Sequence, residues 1–149
     1  MSGAVSIVGQ GGKIIIEVFG YENPSASNVD DANWLSSQFS VEVGPFVGSF
    51  KAALTTYDLL VLCERLGASL HSLSGQFSFQ STEDNLTLEA EFARNGTVEL
   101  KGVVQPSGSY KPALHYRFES EPGHLSQTLQ ELKLLTEKFP ARQESSTVQ

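Results

Sequence analysis

Apolar and polar residues alternate with period two over much of this chain, and that pattern limits its fold more than any other feature. Phe39, Val41 and Val43 alternate with Gln38, Ser40 and Glu42. Leu86, Leu88, Ala90 and Phe92 alternate with Thr87, Glu89 and Glu91, and Leu114, Tyr116 and Phe118 with His115, Arg117 and Glu119. Successive side chains of a strand point to opposite faces, so each run reads as a strand with one buried and one wet face. Antiparallel sheets provide such a surface, whereas parallel sheets are covered on both sides. Further strands are expected at residues 4–8, in the β-branched run 14–21, at 46–52, around Phe77 and Phe79, and at 98–104. Gly9-Gln10-Gly11-Gly12, Gly44-Pro45 and Asn95-Gly96 supply the turns, the last pair because both residues accept positive φ.

Two segments change to helical spacing. Leu59, Leu62, Cys63, Leu66 and Leu70 share one helix face after Thr55, whose hydroxyl can cap the first turn while Asp58 reaches back. Gly67 is a plausible stop, although the apolar pattern runs on to Leu70 and Leu73. The closing helix starts near Gly123, carries Leu125, Leu129, Leu132, Leu135 and Phe139, and is stopped by Pro140. The expected order is four strands, a helix, four strands and a helix. The fold class is α+β: a mainly antiparallel, strongly curved sheet or partly open barrel of about eight strands, with two helices covering a face or an open end. With 149 residues and no linker signal, residues 1–142 read as one domain and 143–149 as a disordered polar tail.

The net charge is -7, with one cysteine. An acid excess argues against a nucleic-acid surface, since phosphate binding comes mainly from Lys and Arg. A single cysteine permits no intrachain disulfide. No apolar run is long enough to span a membrane, and the start has neither the basic nor the apolar region of a signal peptide. A cytoplasmic protein is the expectation.

Candidate chemistry is sparse. His71, His115 and His124 have no partners at zinc-motif spacing and read as solvated side chains. Cys63 lies on an apolar helix face, where a thiol acts as a small hydrophobe. No serine sits in a G-x-S-x-G elbow, and the 9–12 turn lacks the lysine and helix of a phosphate loop. No catalytic residue, metal site or cofactor is expected. The informative segment is Tyr21 and Glu22 with Asp30, Asp31, Asn33 and Trp34, in a polar loop spanning residues 22–33. Asp30 or Asn33 can tie the loop to its own backbone, and Trp34 can fill the edge of the core. The same residues can equally form a partner-binding surface. Between Lys13 and Lys51 there is no Lys or Arg, yet Glu17, Glu22, Asp30, Asp31 and Glu42 all fall there. Such a zone steers a basic partner and repels an acidic one.

Gly20-Tyr21-Glu22 after an apolar strand, Asp31-Ala32-Asn33-Trp34-Leu35, Leu54-Thr55-Thr56-Tyr57-Asp58 opening a helix, and Phe139-Pro140-Ala141-Arg142 form an ordered set. Together they resemble the WapI-family immunity proteins of bacteria. The resemblance implies a small cytoplasmic protein without enzymatic activity that neutralises a cognate toxin, in some cases an RNA-cleaving one. It transfers no catalytic residues. A basic, nuclease-type toxin would suit the acidic segment, and contact through Tyr21, Glu22, Asp30, Asp31, Asn33 and Trp34 is the expectation. An alternative is a barrel-like binder of a small apolar ligand, with Phe39, Phe46, Phe50, Phe77, Phe79, Phe92 and Phe118 pointing inward. A third, weaker reading is an enzyme using Asp30 and Asp31. Edge strands of an open sheet also leave a homodimer possible.

Overall fold

A computed structural model describes residues 2–108 and 112–143; the expected tail beyond Gln143 lies outside them. The strands are β1 (Gly3–Gly9), β2 (Gly12–Tyr21), β3 (Trp34–Val43), β4 (Phe46–Thr55), β5 (Gly75–Gln80), β6 (Leu86–Phe92), β7 (Val98–Val104) and β8 (Leu114–Ser120). The helices are α1 (Val29–Ala32), α2 (Thr56–Ser72) and α3 (Pro122–Lys138). The α+β class and the eight antiparallel strands are as expected. The single curved sheet or barrel is not. The strands form two four-stranded sheets, β1-β2-β3-β4 and β5-β6-β7-β8. No ladder joins β1 to β8 among the described residues: Gln10, just past β1, forms an isolated bridge with Glu119, and Ser120 Oγ donates to the Val8 carbonyl.

The period-two pattern is realised in the burial. Val5, Ile7, Ile14, Ile16, Val18, Phe39 and Val41 of the first sheet join Leu86, Leu88, Ala90, Leu100 and Phe118 of the second in one core. The two 17-residue helices fill the space beside them. α2 follows the first sheet and packs against β5, while α3 follows the second and packs against β1. Each half therefore lends its helix to the first strand of the other half. α2 also corrects the reading of Gly67, which lies inside the helix rather than ending it. A methyl group there would stand 3.7 Å from Leu129 of α3, so the small residue sits where the helices meet. The helix ends instead at Leu73, in the left-handed region at φ 53°. Thr55 and Asp58 form the expected capping box.

The glycine turn joins the sheets. A Cβ on Gly12 would lie 2.3 Å from the Phe118 ring, and one on Gly9 would lie 2.1 Å from the Glu119 carbonyl oxygen. Phe118 is buried and the Gln10 amide donates to the Glu119 carbonyl at 2.7 Å, so neither neighbour has room to withdraw. Gly12→Ala is expected to destabilise the fold by about 3 kcal/mol, an overpacking cost at the upper end of the usual range. Chemical denaturation should show a lower midpoint at unchanged slope.

The interior is filled. The void bounded by Ile7, Leu62, Leu66, Phe77, Leu88, Leu100, Leu125 and Thr128 measures about 10 Å³, while small-molecule sites occupy roughly 300–1,000 Å³. Of the phenylalanines expected inside, Phe39, Phe79, Phe92 and Phe118 are buried, Phe50 and Phe77 are partly so, and Phe46 is 61% exposed. The structure thus contradicts an inward Phe46, because β4 projects beyond the core at its turn end. Among the described residues this core void has no space for an apolar ligand; the hollow of about 450 Å³ lined by Lys13, Ile15, Ser40, Glu42, Val47 and Ser49 is open to solvent on the outer face of the first sheet.

Candidate functional site

The 22–33 loop is held by the far end of the chain. Asn33, at its base, is 2% exposed. Its Nδ2 donates to the carbonyls of Val29 and Arg142, both at 2.8 Å. Its Oδ1 accepts from Thr56 Oγ1 at 2.9 Å and from the Arg142 amide at 2.7 Å. Both amide protons and both lone-pair directions are thereby used. The Asn33 carbonyl also accepts from the Thr56 amide, and the Trp34 carbonyl from the Glu22 amide.

Arg142 completes the clasp. Its guanidinium donates to the carbonyls of Ala32, Asn23 and Pro24 at 2.6–2.9 Å and lies 3.9 Å above the centre of the Tyr21 ring. The planar donor fork of arginine suits such a set of carbonyls, and stacking on an aromatic face adds attraction. The Tyr21 hydroxyl donates to the Pro140 carbonyl at 2.6 Å, and its ring meets Phe139 edge-on at 5.6 Å. Burial raises the Tyr21 phenol above its ordinary range, with Arg142 pulling the other way, so the hydroxyl stays a donor at neutral pH. Within the loop, Asn28 caps α1: its Oδ1 accepts from the Asp31 amide and its Nδ2 donates to Asp31 Oδ2, both at 2.9 Å.

The residues singled out in the sequence therefore divide. Asn33 is interior, and Tyr21 is engaged on both its ring and its hydroxyl. Trp34 is half-buried at the start of β3. Glu22, Asp30 and Asp31 are exposed on the loop surface. The five acids between Lys13 and Lys51 do not share one patch. Glu42 stands opposite Lys13 in the β2–β3 register. Glu17 pairs with Gln38, whose other neighbour is Lys51. The stretch that lacks bases in sequence thus has Lys13 beside Glu42 and Lys51 one strand beyond the neighbour of Glu17, and Arg142 enters from more than a hundred residues away. Only Glu22, Asp30 and Asp31 cluster on the loop.

Elsewhere, the three histidines are exposed. Cys63 is partly buried against the core, and that burial pushes its thiol up, with Lys133 opposing, which makes it a poorer nucleophile. Among the described residues, no three His, Cys, Asp or Glu side chains are grouped to hold a metal ion. Among the described residues, no helix is long and apolar enough to cross a membrane.

Arg142, which braces the loop, is a residue that the charge pattern does not point to. Its place in Phe139-Pro140-Ala141-Arg142 was the available signal, but no local spacing relates it to Asn33.

Fold and site together define a small α+β domain that presents a braced, carboxylate-bearing loop on a filled core, an arrangement suited to binding another macromolecule. The model of the Immunity protein WapI-like family matches residues 6–140, and the chain belongs to that family. The match ends two residues before Arg142. No curated protein matches the chain.

Proposed function

We propose that this protein neutralises a cognate bacterial toxin by covering its active or substrate-binding surface, and that the 22–33 loop makes the contact. The carrying observation is the clasp. Asn33 and Arg142 fix the loop backbone while Glu22, Asp30 and Asp31 stay exposed on its surface, Asp31 held by Asn28 Nδ2. A loop ordered before binding loses little conformational entropy when it docks. Three carboxylates beside one guanidinium leave the loop negative, which favours a basic partner such as a nuclease that grips phosphate. Trp34 borders the contact, and Tyr21 and Asn33 support it from beneath. On this reading the protein acts by binding and carries out no reaction.

The test is binding between the purified protein and any toxin encoded beside its gene, followed by toxin activity in the presence of the protein. One-to-one binding that abolishes toxin activity is the expected result. Absence of both binding and protection would remove the proposal's support.

A further inference from the structure

The four sheet edges are treated differently. Along β1, the Ser6 amide donates to Glu131 Oε1 and the Ser6 carbonyl accepts from Thr128. The Val8 carbonyl accepts from Ser120 and the Gln10 amide donates to Glu119 of β8. β5 runs beside α2, and Arg65 donates to the Ser78 carbonyl. On β4, only the distal end is closed, where the Ala53 amide donates to Asn85 Oδ1 at 3.1 Å.

Backbone groups of a strand point to alternate sides. Since the Ala53 amide points away from β3, those of Val47, Ser49 and Lys51 do too. Among the described residues these three have no intramolecular backbone partner on that side. The β3–β4 register is unbroken from Trp34↔Thr55 to Val43↔Phe46, and β4 contains neither proline nor bulge, two common devices that blunt an edge. Beside it lie Phe46, 61% exposed, and Val47, 75% exposed.

We propose that this edge pairs with a second copy of the chain, β4 against β4, antiparallel about a two-fold axis at Ser49. Asn85 closes the edge at Ala53 and the turn closes it at Pro45, so the open window is Val47 to Lys51 and its centre is Ser49. That register is self-complementary. Gly48 falls opposite the second copy's Phe50, and an aromatic ring across from an edge glycine is a favourable pair. Phe46 falls opposite the second copy's Ala52. On the outer face, Val47 falls opposite the second copy's Lys51, on the rung that Glu42 continues. The aliphatic stem of lysine covers the valine while its ammonium reaches toward the carboxylate.

Thr55, where the clasp begins, is about 20 Å along the strand from Ser49 at the usual rise per residue. The two loops therefore point to opposite ends of the dimer, and both stay free. This inference does not depend on the proposed toxin contact.

Sedimentation equilibrium of the full chain over a dilution series tests it. The wild type is expected to approach twice its 16.1 kDa mass. Val47→Lys, at an exposed position, places two lysines opposite two others and should raise the dimer dissociation constant by about tenfold. Adding Lys51→Glu to that variant should restore the dimer, because only this register sets position 47 against position 51. A monomer throughout the series overturns the proposal, as does a dimer indifferent to Val47→Lys or a double variant that stays monomeric. A monomer whose β4 amides gain protection only when toxin binds would also overturn it, and would give the edge to the toxin.

Discussion

Asn33→Ala is expected to lower stability by about 3 kcal/mol, from several net hydrogen bonds lost and buried groups left unpaired. For a domain of this size that is a fall of roughly 10 °C in melting temperature. The loss arises at one point. Without the side-chain amide, the Arg142 amide and carbonyl, the Val29 carbonyl and the Thr56 hydroxyl each lose a partner. Alanine cannot replace them, and a water entering the gap could satisfy only part of the set. Because Arg142 is seated by Asn33, its guanidinium should also loosen from Ala32, Asn23 and Pro24. Amide exchange in the loop is therefore expected to accelerate more than global unfolding requires. Thermal melting and hydrogen exchange read the two effects separately. Were Asn33 a surface contact instead, the melting temperature would stay within a degree or so of wild type, as for surface substitutions generally.

Charge reversal of the loop should do the opposite. Glu22→Lys, Asp30→Lys and Asp31→Lys together alter exposed side chains. The only loop hydrogen bond they remove from this group is that of Asp31 Oδ2 with Asn28. Stability should change by less than about 1 kcal/mol. Affinity for a basic toxin should fall by about two orders of magnitude at low salt, mainly through the association rate. The difference should shrink as salt rises, because exposed charges are screened over roughly 8–10 Å at physiological ionic strength. Association kinetics at two salt concentrations give both readings. Asn33→Ala and the triple variant thus separate what holds the loop from what the loop presents.

Several features were readable in the sequence because they are local. Period two placed the strands, helical spacing placed α2 and α3, and Thr55 with Asp58 marked a capping box. α1 was missed because four residues are too few to show a helical period, although Asn28 stands three residues before Asp31 in a capping pattern. Gly67 was misread because a glycine at a helix end and one at a helix crossing look alike in one dimension. The division into two sheets was not legible, since alternation shows which face a strand buries and not which strand lies beside it. The clasp was illegible for a related reason. Asn33 and Arg142 are 109 positions apart, and no periodicity spans that separation. Their motifs were visible only as a set. In space that set closes around the loop base, with Tyr21, Asn33, Thr56, Phe139, Pro140 and Arg142 linked by direct contacts.

The apparent acidity of the first half of the chain changes meaning in the same way. Lys13 stands opposite Glu42 on the outer face of the first sheet, and Lys51 lies two strands from Glu17 across Gln38, so within this stretch the acids without a lysine on their own rung are those of the loop.

Hydrogen exchange of the protein alone and bound to any toxin encoded beside its gene tests the central claim most directly. Protection on binding should concentrate in residues 22–34, with the outer face of the β5–β8 sheet unchanged. Protection elsewhere, with the loop exchanging as in the free protein, would contradict it.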